Sequence, residues 1–117
     1  MKKGADPMIF PLPATVLEYL ILGFLENQDS YGYEICQNIK QVQNINEPKL
    51  YPILKKLMEA GYIGTYEKNI GGRRRKYYFL QPEGAAMLTA MKKDWMDYVQ
   101  GINQIVSPVS STETERN

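Results

Sequence analysis

Between Leu88 and Ile105 the residues Leu88, Met91, Trp95, Tyr98, Ile102 and Ile105 recur at intervals of 3, 4, 3, 4 and 3, the a/d spacing of a helix that packs along another helix. Begun near Glu83 and carried to the end of this stripe, such a helix reaches roughly 35 Å at ~1.5 Å per residue. The chain has 117 residues, enough for one domain. A domain of that size does not cover so long a helix with its own surface. The far half of the stripe therefore predicts a partner helix, and a second copy of the chain is its simplest source.

What precedes the stripe reads as three helices and a hairpin. Pro7, Pro11 and Pro13 keep residues 1–13 out of regular helix, so they form an arm. Thr15 is a natural N-cap for a helix in which Val16, Leu17, Tyr19, Leu20, Ile21, Leu22, Phe24 and Leu25 are apolar on most of the circumference. It must be buried on two sides. After Asn27-Gln28-Asp29, Ser30 is suited to cap a second helix with Tyr31, Ile35, Ile39 and Val42 on one face. The polar stretch Gln43–Glu47 leads to Pro48, which fits a first helical turn, and to Leu50, Ile53, Leu54, Leu57 and Met58 of a third helix, with Pro52 inside the pattern and Gly61 ending it. Tyr62–Glu67 and Lys76–Leu80 are aromatic, β-rich runs around a turn holding Asn69, Gly71 and Gly72, the signature of a hairpin. From Ser107 the Ser/Thr/Glu-rich end reads as a disordered tail.

Composition narrows the chemistry. With no histidine and the single cysteine Cys36, an internal disulfide, the usual zinc sites and every histidine-dependent triad are excluded. No nucleophile–base pair, metal cluster or phosphate-cradling glycine loop is visible, so neither an enzyme nor a cofactor is expected. Cys36 itself reads as a small buried hydrophobe. The longest apolar run, Val16–Leu25, is broken by Glu18 and Gly23 and is too short to span a bilayer. Lys2 and Lys3 are followed by Asp6 and Pro7 rather than by the apolar stretch of a signal peptide, which leads us to expect a cytoplasmic protein.

The formal net charge is only +1, yet residues 40–76 hold nine lysines and arginines against three glutamates. A basic middle of this kind points to a polyanionic partner. Three helices followed by a hairpin, with basic residues on the third helix and the hairpin, describe a winged helix-turn-helix, whose third helix enters the major groove while the wing follows the phosphates. On this reading Arg73, Arg74, Arg75 and Lys76 clamp phosphates, and Lys49 and Tyr51 read bases or fix register. Of Lys55 and Lys56 only one faces DNA squarely, because adjacent helical positions diverge by roughly 100°; Lys55 is the candidate. Most of Tyr31, Tyr33, Tyr62, Tyr66, Tyr77 and Tyr78 are expected to pack core and hairpin.

Four segments carry a specific resemblance: Tyr31-Gly32-Tyr33-Glu34-Ile35, Leu50-Tyr51-Pro52-Ile53-Leu54-Lys55-Lys56-Leu57, Gly61-Tyr62-Ile63 and Gly71–Leu80. In this order and at these separations the sequence resembles the PadR family of bacterial transcriptional regulators over about residues 15–105, and its single C-terminal helix resembles the small subfamily. The resemblance implies a mainly α fold with a small β-hairpin: an arm (1–13), a winged helix-turn-helix (14–81), a dimerisation helix (82–106) and a tail (107–117). It implies a homodimeric repressor on a pseudo-palindromic double-stranded DNA operator, with Leu88, Met91, Trp95, Tyr98, Ile102 and Ile105 at the dimer interface. In drug-sensing members a tryptophan eleven residues after the glycine that opens this helix lines a pocket at the dimer centre; Gly84 and Trp95 reproduce that offset. Trp95 is thus the candidate contact for a small aromatic or hydrophobic effector, with Met8, Ile9 and Phe10 as further walls. A second reading is a winged-helix protein-interaction module that does not bind DNA.

Overall fold

The computed structural model describes residue 10 and residues 12–108. Its elements run α1 (Ala14–Asn27), β1 (Ser30–Tyr31), α2 (Gly32–Ile39), α3 (Glu47–Glu59), β2 (Ile63–Ile70), β3 (Arg73–Leu80) and α4 (Pro82–Val106). The arm through Ile9, together with Pro11, and the tail from 109 onward lie outside the described residues. The order of helices and hairpin is that of a winged helix-turn-helix with a long final helix.

α1 is the central post. Its Leu17, Ile21, Leu22 and Leu25 are buried, and it touches α4 on one side and α2, α3 and β3 on the others, which is why it is apolar almost all round. Thr15 is not its cap. Pro13 occupies the N-cap, its carbonyl accepting from the amides of Val16 and Leu17 at 3.0 and 3.2 Å, so Thr15 falls within the first turn. Ser30 likewise does not cap α2. It belongs to β1, where Ser30 and Tyr31 pair with Tyr78 and Tyr77 of β3, and its buried hydroxyl donates to the Glu34 carboxylate. α2 starts where that pairing ends and stops at Ile39, leaving Val42 beyond it and exposed.

α3 is well delimited. The Asn46 side chain accepts from the Lys49 amide at 3.0 Å, filling one of the unpaired donors of a helix start. At the other end Gly61, at φ 80°, places its amide on the Met58 carbonyl while the Tyr62 amide reaches Leu57, the paired bonds of a Schellman motif, which needs a left-handed residue at this point. Leu50, Leu54 and Leu57 lock α3 into the core.

Gly71 and Gly72, at φ 57° and 80°, make the tight two-residue turn whose twist suits a hairpin. The strands run farther than the aromatic runs suggest: Ile70 pairs with Arg73 and Asn69 with Arg74, so the arginine run is strand rather than loop. Ladder bonds are made by backbone, and beyond the core both faces of a hairpin tolerate charge. The sheet order is β1-β3-β2. α4 begins against it, where a Cβ on Gly84 would lie 2.1 Å from the Tyr62 carbonyl oxygen; only a glycine permits this approach. Leu88 follows at 1% exposure inside the protomer's own core, which corrects its assignment to the dimer seam. Met91 also packs partly on that core, and Trp95 sits against Tyr19 of α1 with ring centres 5.9 Å apart. Beyond Trp95 the stripe is bare: Tyr98 is 63% and Ile105 83% exposed.

Candidate nucleic-acid interface

Burying Leu50, Leu54 and Leu57 turns the opposite side of α3 to solvent. At roughly 100° per residue the exposed positions Pro48, Lys49, Tyr51, Pro52, Lys55, Lys56 and, at the last turn, Glu59 cover an arc of about 160°. Lys49 and Tyr51, both expected to read bases or fix register, stand at its two edges, and Pro48, Pro52, Lys55 and Glu59 occupy its centre. Lys56 is tied back to α1, its ammonium 2.9 Å from Glu18. Lys55 has no ion-pair partner among the described residues.

The Tyr51 edge faces the wing. There Tyr31, Gly32, Glu47, Tyr51, Arg75 and Lys76 border a cleft of about 340 Å³ that Tyr33 and Tyr78 complete. The Tyr51 ring lies across the first turn of α2, where a Cβ on Gly32 would meet its hydroxyl at 2.6 Å. Gly32 thus fixes the distance between α2 and α3. Burial, and then the Glu47 carboxylate, push the Tyr51 hydroxyl above the ordinary phenol range, so at neutral pH it is an uncharged donor. Gly32, Tyr33 and Glu47 were not among the sequence candidates, although the Tyr-Gly-Tyr triplet at a helix start was the available signal.

Strand alternation divides the basic run. Arg73 and Arg75 share one face of β3 with Tyr77, and Arg74 and Lys76 share the other with Tyr78. Arg75 stacks over Tyr31 at 4.5 Å and Lys76 lies 5.7 Å from the Tyr78 ring centre, so both lean toward the cleft from opposite faces. Arg74 pairs with Glu67 at 2.6 Å, while Arg73 near the tip makes no ion pair among the described residues. The hairpin stands on its aromatics: Tyr66 stacks on Tyr77 at 5.7 Å, tilts against Phe79 at 5.9 Å, and donates its hydroxyl to Asp29 at 2.8 Å.

A second cleft, of about 340 Å³, opens beside Trp95, walled by Val16 and Tyr19 of α1 and by Met91, Trp95 and Tyr98 of α4, with the carboxylate of Asp94 at its edge. Met8 and Ile9 lie outside the described residues, and Phe10 is exposed and does not line it. Cys36 is buried, points its thiol at the Ile45 carbonyl, and is pushed up in pKa chiefly by burial, the setting of an inert thiol. Among the described residues no group of three or more His, Cys, Asp or Glu side chains could hold a metal, and no helix is long and apolar enough to cross a membrane.

The family model described as "Transcriptional regulator PadR-like family" matches residues 21–90. The negative transcriptional regulator PadR of Bacillus subtilis is 34% identical over 97 residues, 78% of this chain, and the chain spans only 50% of that longer protein. Among solved structures, smu.1704 from Streptococcus mutans is 47% identical with a TM-score of 0.82, covering 87% of this chain and 97% of that one. A PadR family regulator from Clostridium difficile is 33% identical at a TM-score of 0.73, covering 78% and 98%. The matched span takes in α3, the hairpin and the start of α4, and the chain belongs to the PadR-like family of transcriptional regulators, a DNA-binding regulator rather than an enzyme.

Proposed function

We propose that this chain is a homodimeric repressor that holds a pseudo-palindromic operator and is released from it by a small, flat, hydrophobic ligand. The observation that carries the DNA reading is the grouping of Lys55, Arg73, Arg75 and Lys76 around the α3 arc and the wing cleft, none of them engaged by a carboxylate among the described residues. A cationic rim around an exposed helix matches phosphate positioning with base readout between. The negative regulation in the name of the Bacillus subtilis relative supports repression. Two copies joined along α4 would present two reading helices to one DNA face, with half-sites about one turn, roughly 34 Å, apart.

The ligand reading rests on the Trp95 cleft. An open apolar wall with one carboxylate suits a planar cation, and across the two-fold axis of a dimer two such walls would face each other. Release requires the ligand to prefer a dimer whose reading helices are misplaced for DNA, about 1.4 kcal/mol of preference per tenfold loss. The test is a duplex carrying the promoter of the chain's own gene, titrated by fluorescence anisotropy over a salt series and then with planar cationic dyes. We expect steep salt dependence, quenching of Trp95, the only tryptophan, and parallel loss of DNA. Salt-independent binding overturns the DNA reading. Quenching without DNA release, or undiminished dye binding by Trp95→Ala, overturns the ligand reading.

A further inference from the structure

At the centre of the α3 arc, where base edges would be met, stand the rings of Pro48 and Pro52. Both are exposed, and four residues apart they lie one above the other on the same helix face. Pro52 sits inside α3, where it removes the hydrogen bond to the carbonyl of residue 48 and works against the helix. Both prolines border a cleft shared with Leu12 and Ile53 yet remain exposed, so burial in the core does not account for this penalty. The outer face, where both rings meet solvent, does.

We infer that Pro48 and Pro52 form an apolar strip that reads thymine C5-methyl groups in the major groove. The inference rests on the DNA-binding reading and deepens it. A proline ring has neither donor nor acceptor, so it cannot take part in hydrogen-bond readout. Thymine's methyl is the one base feature of the major groove that an apolar surface complements. The ring is also short and rigid, which lets the helix approach the bases closely without loss of side-chain freedom. The strip continues on its Lys49 side into a shallow cleft of about 480 Å³ whose apolar walls include Leu12, Leu17, Ile45 and Ile53. Lys55, on the same arc, and Lys49 at its edge supply donors for neighbouring guanines or phosphates, so the face as a whole reads thymine by contact and its flanks by charge.

The test selects duplexes from a random library with the full chain, then replaces each enriched thymine by deoxyuridine, which lacks only the methyl. We expect thymine at symmetric positions of the selected site. Each substitution should weaken binding about fourfold, the effect of one buried carbon group, and a symmetric pair about fifteenfold. Pro48→Ser with Pro52→Ser remains helical, since serine is far more compatible with a helix interior than proline, and by replacing both apolar rings with polar side chains should bind thymine and deoxyuridine duplexes alike. Salt-dependent binding with no thymine enrichment, or with equal affinity for both duplexes in the unaltered chain, overturns the inference and leaves the DNA reading standing. Absence of any duplex affinity overturns both.

Discussion

The α3–wing face and the outer half of α4 are both more exposed than a finished surface should be, but in opposite ways. The first is charged and aromatic, with Arg75 and Lys76 resting on tyrosine rings and Tyr77 braced between Tyr31 and Tyr66. The second offers Tyr98, Ile102, Ile105 and Val106 to water with little to brace them beyond the Trp95–Tyr98 contact at 6.0 Å. Charges held on aromatic platforms remain solvated alone and exchange water for phosphate at small cost. Apolar side chains on a projecting helix have no such equilibrium with water and call for an apolar partner. The two surfaces thus ask for different partners, a polyanion for one and a like helix for the other.

The largest effect should come from the apolar surface. Tyr98→Asp with Ile102→Asp should weaken self-association on the order of a thousandfold or more, since each buried side chain contributes about 1.5–3 kcal/mol and each change counts in both copies. Sedimentation equilibrium at micromolar concentration should show a folded monomer. An unchanged dimer would move the interface elsewhere. Leu88→Ala sharpens the contrast within the same stripe, because Leu88 is a core residue of the protomer. We expect a loss of about 2–5 kcal/mol of folding stability, read by chemical denaturation, and a smaller change in self-association once the fold is intact. The charged surface should respond less steeply: Arg73→Ala with Lys76→Ala should weaken duplex binding on the order of tenfold at low salt. The log–log salt slope should flatten by about 0.9 for each phosphate that is no longer neutralised. A slope unaltered by the pair would take the wing off the DNA.

Periodicity made the helices legible, and the double glycine between aromatic runs did the same for the hairpin. The a/d repeat could not reveal where the protomer's own core ends along it. Leu88 and Ile105 obey one spacing, yet one is buried in the core beside α1 while the other faces water. Ser30 resembles a cap because a serine before a helix commonly is one; its pairing with Tyr78 is a contact between distant parts of the chain that no local pattern encodes. Arg73–Arg75 resemble loop because they are charged, whereas the ladder they join is indifferent to side chains beyond the core. Lys49 and Tyr51 were legible as exposed, and helical geometry alone sets them on opposite edges. The cleft between Tyr51 and the wing was hidden because Gly32, Glu47 and Arg75 come from three separate elements.

Within the charged surface, one residue opposes the rest. Glu67 holds Arg74 at 2.6 Å, with both side chains largely exposed. A pair so open to water contributes only about 0.2–1 kcal/mol, so phosphate competes with Glu67 for the same guanidinium. Glu67→Gln releases Arg74 and removes a negative charge from the strand face that also carries Lys76. Duplex affinity should therefore rise, by about two- to fivefold at low salt, with no change in folding stability beyond a few tenths of a kcal/mol. The gain should fade as salt is raised, because the screening length falls from about 10 Å at 0.1 M to about 3 Å at 1 M. Anisotropy titrations at two salt concentrations measure both. A gain that persists at high salt would mean that Glu67 acts through hairpin geometry, and no gain at low salt would place this edge of the wing away from the phosphates, leaving the contact to Arg73 and Arg75 on the other face.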